Sequence, residues 1–266
     1  MVLATNEEVT VGVAPRGSGS LSMARVVEPV TVVPGLLSIV IPAHNEEARI
    51  AETVLSYTAA LQGAPHELVI ALDGCEDRTG EVVKALQARF PSIKIVQFPT
   101  RLGKGGGVME GMKRASGSWI AFMDADGALS PDEFLNLLTK VQANGCDGVI
   151  GSRYWDRLRI QSSYGFLRWL LSRAFNLSVR ILFRLPFEDT QCGAKIFRRE
   201  AIEAVMSRIR LTGYAFDVEL LWRLEKGGYE IRELPITWDH KNGSSLKLSR
   251  EAPRMFTDII RMRLNG

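Results

Sequence analysis

The sequence predicts an α/β protein with a mostly parallel sheet flanked by helices, and three observations lead to that prediction. Short apolar runs alternate five times with stretches that repeat apolar residues at helical spacing. The links between them are short, as is typical of strands joined by crossover helices. Acidic or polar residues follow the ends of several runs, where ligands bind in open sheets of this kind.

The runs that we interpret as strands are mostly rich in valine, isoleucine, leucine and phenylalanine. Continuous apolar runs of this length indicate strands that are buried on both faces of a sheet. The predicted strands, in chain order, are 37–41, 67–72, 93–98, 119–123, 147–151, 189–197 and 229–238.

The stretches between these runs carry signals for helix starts. Asn45 is expected to cap the first helix, with Glu46 and Glu47 at the positive end of the helix dipole. Ser130 before Pro131 is expected to cap the fourth helix. The predicted helices run to about residue 62, to about 90, to about 115, over 131–143, over 199–207, and from 216 to a stop at Gly227.

The composition limits the class of protein. The chain has 266 residues, 46% of them hydrophobic and 24% charged, which is ordinary for a globular domain. A net charge of +3 is too small to indicate a nucleic-acid partner. Three singly placed cysteines favour a reducing compartment, and three histidines make a zinc site rich in histidine unexpected. No apolar stretch is long enough to predict a transmembrane helix.

Two terminal segments lie outside the alternating pattern. Residues 1–35 contain a Gly-Ser stretch and no charged region leading into an apolar core, so we predict a flexible extension rather than a signal peptide. The α/β domain is predicted over 36–250. Residues 251–266 place apolar residues beside arginines at helical spacing, which predicts an amphipathic C-terminal helix.

Residues 157–185 combine apolar and aromatic side chains with arginines and contain no acidic residue. This composition is typical of an amphipathic segment that lies in a membrane interface. The alternative is an ordinary core helix with a basic solvent face. We favour the membrane interface, because the basic bias is complete over the segment. The arginines are Arg157, Arg159, Arg168, Arg173, Arg180 and Arg184.

Two carboxylates, Asp124 and Asp126, directly follow the apolar run 119–123. They are expected at the carboxyl end of a buried strand, where ligands bind in open α/β sheets. Two carboxylate ligands suit Mg²⁺ or Mn²⁺ that also holds a diphosphate. The alternative is a solvated turn with no ligand.

Other polar residues follow neighbouring strands. Asn45 and Glu46 come after the first strand and Asp73 after the second, so we expect them on the same rim as Asp124 and Asp126. A carboxylate at such an edge can hold the base or ribose of a nucleotide. Each of them could instead be a helix cap. Residues 103–107 read Gly-Lys-Gly-Gly-Gly and open a helix, and Lys104 there adds charge for a phosphate. The pattern is neither a Walker A loop nor GxGxxG, so it does not indicate hydride transfer.

Together these motifs resemble the inverting family-2 glycosyltransferases of the GT-A fold, over about residues 36–264. Within that family, the later motifs are similar to the polyprenyl-phosphate sugar synthases, dolichyl-phosphate β-glucosyltransferases first and mannose synthases next. The first set of motifs is 39–46, 72–79, 103–105, 124–126 and 151–154, and the second is 124–128, 189–195, 215–221 and 243–247.

The resemblance implies roles for individual residues. The catalytic residues would be Asp124, Asp126, Arg153 and Asp217. Nucleotide-sugar contacts would come from Pro42, Ala43, Asn45, Glu46, Asp73, Lys104, Asp124, Ala125, Asp126 and Gln191, with Gln191 and Asp217 facing the sugar. Asp124 and Asp126 would hold Mg²⁺ or Mn²⁺, and Arg153, Arg168, Ser172 and Lys241 would bind the acceptor phosphate.

The activity that the resemblance implies is transfer of a hexose from a nucleotide sugar to dolichyl or polyprenyl phosphate. UDP-glucose is favoured over GDP-mannose as the donor, although Leu72, Cys75 and His44 depart from the family pattern beside the nucleotide. The acceptor phosphate is ionised near pH 7, so it can attack the anomeric carbon without a strong base. A single in-line displacement would invert the configuration of that carbon. The protein would lie peripherally on the cytoplasmic face of a membrane. The alternatives are a soluble acceptor, or a non-catalytic partner subunit that binds nucleotide sugar.

Overall fold

The structure of the protein is a computed structural model that describes residues 35–154, 166–239 and 248–265. Several predictions fall elsewhere in the chain. The extension up to residue 34, Arg157, Arg159, Lys241 and the side chain of Arg168 lie outside the described residues.

The described residues form one seven-stranded sheet with the strand order β3-β2-β1-β4-β6-β5-β7. Strands β1, β2, β3 and β4 pair in parallel, and β7 is parallel to β5. The predicted α/β class with a mostly parallel sheet is therefore confirmed. The strands are β1 Leu37–Ala43, β2 His66–Asp73, β3 Ile93–Phe98, β4 Trp119–Met123, β5 Gly148–Ser152, β6 Ala194–Arg198 and β7 Ile231–Pro235.

Strand β6 departs from the parallel arrangement. It runs antiparallel to β4 on one side and to β5 on the other. The crossover from β4 to β5 leaves one position open between them, and the chain returns to fill it in the opposite direction. As a result, the start of β6 lies beside the end of β4, where Ala194 is the register partner of Met123.

Helices cover both faces of this sheet. Helix α3 and the helices from residue 166 onward pack into one core cluster with side chains of β1, β4 and β6. Helices α1, α2 and α4 form a second group, in which α1 contacts both α2 and α4. The described helices are α1 Ile50–Ala60, α2 Thr79–Arg89, α3 Lys104–Arg114, α4 Pro131–Asn144, α5 Phe166–Phe183, α6 Arg199–Met206, α7 Phe216–Lys226 and α8 Leu248–Asn265.

The helix starts confirm one predicted cap and correct another. Ser130 caps α4, because its Oγ accepts a hydrogen bond from the Glu133 N–H at 3.2 Å. The prediction that Asn45 caps the first helix is wrong, since α1 begins only at Ile50. Asn45 has a φ of 57°, in the left-handed region that a right-handed helix start does not use.

A closed polar cluster lies at the amino ends of β1 and β2. Glu67 is 4% exposed, and its carboxylate accepts hydrogen bonds from the Ser38 hydroxyl at 2.6 Å and the Ser116 N–H at 2.5 Å. Lys94 Nζ lies 2.6 Å from its other oxygen. Burial alone would raise the pKa of Glu67, but these partners lower it below its usual value. The protein itself therefore satisfies this carboxylate.

Helices α5 and α8 pack against each other through one face and present apolar side chains on the other. The rings of Phe175 and Phe256 meet edge to face with centroids 5.3 Å apart, and Arg263 Nε donates to the Leu182 carbonyl at 3.0 Å. None of the helices that the structure describes has both the length and the apolar character needed to cross a bilayer. The exposed large apolar residues on this pair are Leu170, Leu177 and Ile181 of α5 and Ile260 and Leu264 of α8.

Candidate active site

Asp124 and Asp126 lie in the turn after β4, at the edge of the sheet that the sequence predicts for them. Helix α1 holds this turn, because Thr53 Oγ1 donates to the Ala125 carbonyl at 3.0 Å. Within the turn, the Ala128 N–H donates to Asp126 Oδ1 at 3.1 Å. The backbone that carries both carboxylates is therefore fixed before any ligand binds.

Asp124 is surrounded by cationic side chains. Lys104 Nζ lies 2.8 Å from Asp124 Oδ1. Burial on its own would raise the pKa of Asp124, but Lys104, then Lys195 and Arg153, hold it below its usual value. Burial likewise favours the neutral amine of Lys104, yet the charge of Asp124 raises the pKa of that lysine. Both groups are therefore charged at neutral pH.

Asp126 is in the opposite electrostatic situation. Burial, and then the charge of Asp124 two residues away, raise the pKa of Asp126 above its usual value. The Ala128 N–H, Arg49 and Lys104 act in the other direction without cancelling this effect. The protein thus compensates the ionised form of Asp126 only in part.

The two carboxylates fit a divalent cation that is shared with a ligand. Mg²⁺ is commonly bound through one or two carboxylates together with substrate phosphates, rather than by a cage of protein groups. Consistent with this, the described part of the chain contains no cluster of three or more His, Cys, Asp or Glu side chains that would enclose a metal alone. The raised pKa of Asp126 marks the charge that such a cation would neutralise.

Glu46 and Arg49 lie beside this pair, and sequence reasoning missed the arginine. Arg49 Nη2 lies 2.6 Å from Glu46 Oε2. Burial, with smaller contributions from Asp126 and Asp124, raises the pKa of Glu46 despite this arginine. Arg49 Nη1 is buried and has no hydrogen-bond partner among the described residues. No sequence motif singles out this position; only the fold brings it near Asp126.

Asn45 joins two loops of the rim. Its Oδ1 accepts hydrogen bonds from the backbone N–H groups of Glu76 at 2.8 Å and Asp77 at 3.4 Å. In the same interface, the Glu46 N–H donates to Thr79 Oγ1 at 2.8 Å. The loop after β1 is thereby clipped to the loop after β2. A contact between Asn45 and a nucleotide stays a prediction.

The other predicted base contacts lie around these two loops. Pro42 is partly exposed, whereas Ala43 is 1% exposed and receives a hydrogen bond at its carbonyl from Cys75 Sγ at 3.3 Å. His44 Nδ1 lies 2.7 Å from the Asp73 carbonyl. His44 and Cys75, which depart from the family pattern, are thus structural partners in these two loops.

Asp73 occupies the anion position that the sequence assigned to a phosphate. Its carboxylate accepts from the backbone N–H groups of Leu102 at 2.5 Å and Gly103 at 2.9 Å, at the N-terminus of α3. A side chain at Gly105 would collide with Phe216. Gly105 therefore allows close packing against α7, and Asp73 already holds the N–H groups of Leu102 and Gly103. Contact of Lys104 with a phosphate stays a prediction.

Arg153 is held in one orientation by a buried carboxylate. Its Nε and Nη2 donate to the two carboxylate oxygens of Asp189 at 2.7 and 2.8 Å. The backbone N–H of Arg153 donates to the same carboxylate at 3.0 Å. Asp189 is fully buried. Burial would raise the pKa of Asp189, but Arg153 lowers it. The arginine is therefore fixed and charged close enough to Asp124 to affect its pKa.

The other residues assigned to the acceptor phosphate are partly described. Ser172 Oγ lies 2.5 Å from the Tyr154 hydroxyl, and the Arg173 guanidinium lies 4.7 Å from the centre of the Tyr154 ring. Ser172 is thus placed next to the residue that follows Arg153 in the chain. The side chain of Arg168 and all of Lys241 lie outside the described residues.

Asp217, which the sequence assigned to the sugar, is the counter-ion of a buried lysine. Lys195 Nζ lies 2.6 Å from Asp217 Oδ1 and donates to the Cys192 carbonyl at 2.5 Å. The two residues are 0% and 1% exposed. Lys195 also stacks over the Phe122 ring at 5.1 Å. Direct contact of Asp217 with a sugar stays a prediction, and its observed partner is Lys195.

The loop before β6 lies against Asp124. A side chain at Gly193 would collide with the Asp124 carboxylate, so only glycine allows this close approach. Two residues earlier, Gln191 has a buried Nε2 with no hydrogen-bond partner among the described residues. An unpaired buried amide is costly unless a ligand or water satisfies it. This fits the predicted contact between Gln191 and a sugar hydroxyl.

Comparisons with known proteins identify a family for this chain. The family described as "Glycosyl transferase family 2" matches residues 38–206. The chain is 31% identical over 230 residues to glycosyltransferase AglD of Haloferax volcanii, covering 85% of this chain but only 36% of AglD. It is 30% identical over 260 residues to a dolichyl-phosphate beta-glucosyltransferase of Trichomonas vaginalis, covering 94% of this chain and 78% of that protein.

The fold also has known counterparts. A crystal structure of glucosyl-3-phosphoglycerate synthase from Mycobacterium tuberculosis, in complex with Mn²⁺, UDP and phosphoglyceric acid, superposes with a TM-score of 0.62. It is 20% identical and covers 87% of this chain and 79% of that chain. The likeness shows a shared fold, and that fold is GT-A.

Proposed function

The chain belongs to glycosyl transferase family 2, and from that premise we propose that it transfers glucose from UDP-glucose to dolichyl or polyprenyl phosphate with inversion. The similarity to dolichyl-phosphate beta-glucosyltransferases supports this acceptor, since the chain aligns with 78% of the Trichomonas protein. Because the chain corresponds to 36% of AglD, the activity of that longer protein supports only the general class of reaction.

The observation that carries the proposal is the pair Asp124 and Asp126 at the carboxyl end of β4. Lys104 balances the charge of Asp124, whereas burial and the charge of Asp124 raise the pKa of Asp126. A cation-bridged diphosphate is the ligand that such a pair accommodates. Bound Mg²⁺ or Mn²⁺ would stabilise the charge that develops on the departing nucleoside diphosphate.

The donor would lie along the rim formed by the loops after β1 and β2. Pro42, Asn45 and Glu46 border this rim, and the clip between Asn45 and the β2–α2 loop keeps it in place. Arg49 Nη1 and Gln191 Nε2 are buried donors without partners among the described residues. We assign the arginine to the diphosphate and the glutamine to a sugar hydroxyl, because charge and hydrogen-bonding capacity match those groups.

The acceptor phosphate would approach from the side of Arg153. Asp189 holds this guanidinium rigidly, so little side-chain entropy is lost when it binds an anion. Ser172 lies close by, and Arg168 and Lys241 remain further candidates. An acceptor phosphate is ionised near neutral pH, so catalysis needs positioning and charge stabilisation rather than a strong base.

Helices α5 and α8 would place this site at a membrane. Leu177 and Ile181 of α5 and Leu264 of α8 are 57, 68 and 79% exposed. Exposed apolar side chains beside arginines favour the interface of an anionic membrane. We propose peripheral attachment to the cytoplasmic face. Flotation with anionic liposomes tests this, and Leu177→Asp with Ile181→Asp should abolish it, whereas flotation that persists in this variant contradicts the assignment.

The activity is tested with purified protein, radiolabelled UDP-glucose, Mn²⁺ and dolichyl or polyprenyl phosphate in detergent. The expected product partitions into chloroform and is acid-labile. Asp126→Asn should abolish it, while Asp132→Asn, an exposed carboxylate on α4, should not. GDP-mannose is assayed in parallel as the alternative sugar donor.

Three results would contradict the proposal. Transfer to a soluble phosphate such as phosphoglycerate, with none to the lipid, would establish the soluble-acceptor alternative. Binding of UDP and Mn²⁺ without turnover on any acceptor would indicate a non-catalytic subunit. Full activity of Asp126→Asn would contradict the proposed metal site.

A further inference from the structure

Lys104 pairs with a carboxylate that the proposed divalent cation would also use. Asp124 is one of the two carboxylates that fit the cation, and Lys104 Nζ already lies 2.8 Å from its Oδ1. Two positive groups close to the same carboxylate repel each other strongly in a partly buried site. The lysine and the cation therefore compete for Asp124.

The backbone of Lys104 is held firmly in place, while its side chain is long enough to move. Lys104 is the first residue of α3, next to Gly103, whose N–H is held by Asp73 at 2.9 Å. The Gly106 N–H donates to the Thr212 carbonyl at 3.0 Å. Movement of the ammonium group is thus confined to the flexible four-carbon side chain.

Other anions of the site give the ammonium no equivalent partner. Asp217 is close enough to raise the pKa of Lys104, but its Oδ1 is bound to the fully buried Lys195. Among the described residues, Lys104 forms its ion pair with Asp124. An ammonium displaced from Asp124 would need a new anion, and the diphosphate of a donor is the anion that this site would receive.

We propose that Lys104 is an exchangeable counter-ion that couples cation binding to diphosphate binding. In the empty site it neutralises Asp124 and weakens the binding of Mg²⁺ or Mn²⁺. When a nucleoside diphosphate enters, the ammonium moves to the phosphate oxygens and releases Asp124 to the cation. Cation and diphosphate therefore bind cooperatively, and by linkage each strengthens the other by the same factor. This inference rests on the proposed nucleotide-sugar site.

The test measures Mn²⁺ binding directly, through the electron paramagnetic resonance signal of free Mn²⁺, with and without UDP. Wild-type protein should bind Mn²⁺ weakly alone and more tightly with UDP. Lys104→Met should bind Mn²⁺ alone more tightly, on the order of tenfold, and should show a smaller gain from UDP than the wild type does. Lys104→Arg keeps the charge and should behave as the wild type does.

A matched control is Lys113→Met at the other end of α3, where the lysine pairs with Glu110 on the surface. It should leave both Mn²⁺ affinities unchanged. Mn²⁺ binding by Lys104→Met that is no tighter than that of the wild type in the absence of UDP overturns the inference, as does an arginine variant that behaves like the methionine variant. If that happens while the wild type still glucosylates the lipid phosphate, the proposed function stands. A wild type that neither binds Mn²⁺ with UDP nor forms product refutes both.

Discussion

Glu67 and Asp126 are carboxylates at opposite ends of the same sheet, and their surroundings differ in kind. Glu67 lies at the amino end, where Ser38, Ser116 and Lys94 satisfy it and its pKa is lowered. Asp126 lies at the carboxyl end, where burial and Asp124 raise its pKa. The protein completes the charge balance at one end and leaves it incomplete at the other.

This difference indicates which cluster is structural and which receives a ligand. At the amino end, the partners come from neighbouring strands and hold them together. At the carboxyl end, Asp126 needs a positive charge, while Arg49 Nη1 and Gln191 Nε2 have no acceptor among the described residues. A carboxylate with a raised pKa and hydrogen-bond donors without acceptors are the features expected of a site that binds a cation and an anionic ligand.

The largest effect is expected from Asp126→Asn, which should separate activity from stability. Activity should fall on the order of a hundredfold or more, because the cation loses a ligand. Stability in the presence of a chelator should stay equal or rise, because an unfavourable buried charge is removed while the Ala128 hydrogen bond can persist. Lipid-product assays and thermal unfolding measure the two. A clear loss of stability without metal would place Asp126 with the structural carboxylates.

Lys195→Met tests whether the carboxyl end also contains a structural pair. Removing the lysine leaves Asp217 charged and buried, which should cost roughly 3–5 kcal/mol of unfolding free energy. Urea denaturation measures this value. The exposed pair is the control, since Lys113→Met should change stability by less than about 1 kcal/mol. Equal effects of the two substitutions would contradict the distinction between them.

Glu67→Gln should have the smallest effect on stability, and the size of this effect depends on pH. The folded-state pKa is lowered, so ionised Glu67 stabilises the fold above the unfolded-state pKa near 4.5, and this contribution is lost as pH falls through the folded-state value. At pH 7 the variant should lose about 1–3 kcal/mol, and the difference from wild type should shrink below pH 4.5. Denaturation at a series of pH values measures it, with activity per folded molecule retained. A stability difference between variant and wild type that grows in acid would contradict this prediction.

Much of this arrangement can be predicted from local pattern. Alternating strands and helices place the residue after each parallel strand on one edge, which is why Asp124 and Asp126 are located correctly. Ser130 before Pro131 caps α4 as expected, because a cap depends on adjacent residues alone. These features need no knowledge of distant parts of the chain.

The missed features all depend on contacts between distant residues. The left-handed conformation of Asn45 is set by its bonds to a loop thirty-one residues away. The inward position of Asp73 depends on the loop before α3. Strand β6 runs in the reverse direction in a gap between β4 and β5, two strands that are consecutive in the sequence but are not neighbours in the sheet. Local periodicity carries no information on any of these pairings.

The reversed strand β6 also determines when the site can exist during synthesis of the chain. A nascent chain that has emerged as far as β5 contains both aspartates and Lys104 but lacks Lys195, Asp189 and Gly193. The gap beside β4 closes only when the next part of the chain inserts between two strands that are already made. The site is therefore completed late, from two parts of the polypeptide that leave the ribosome at different times.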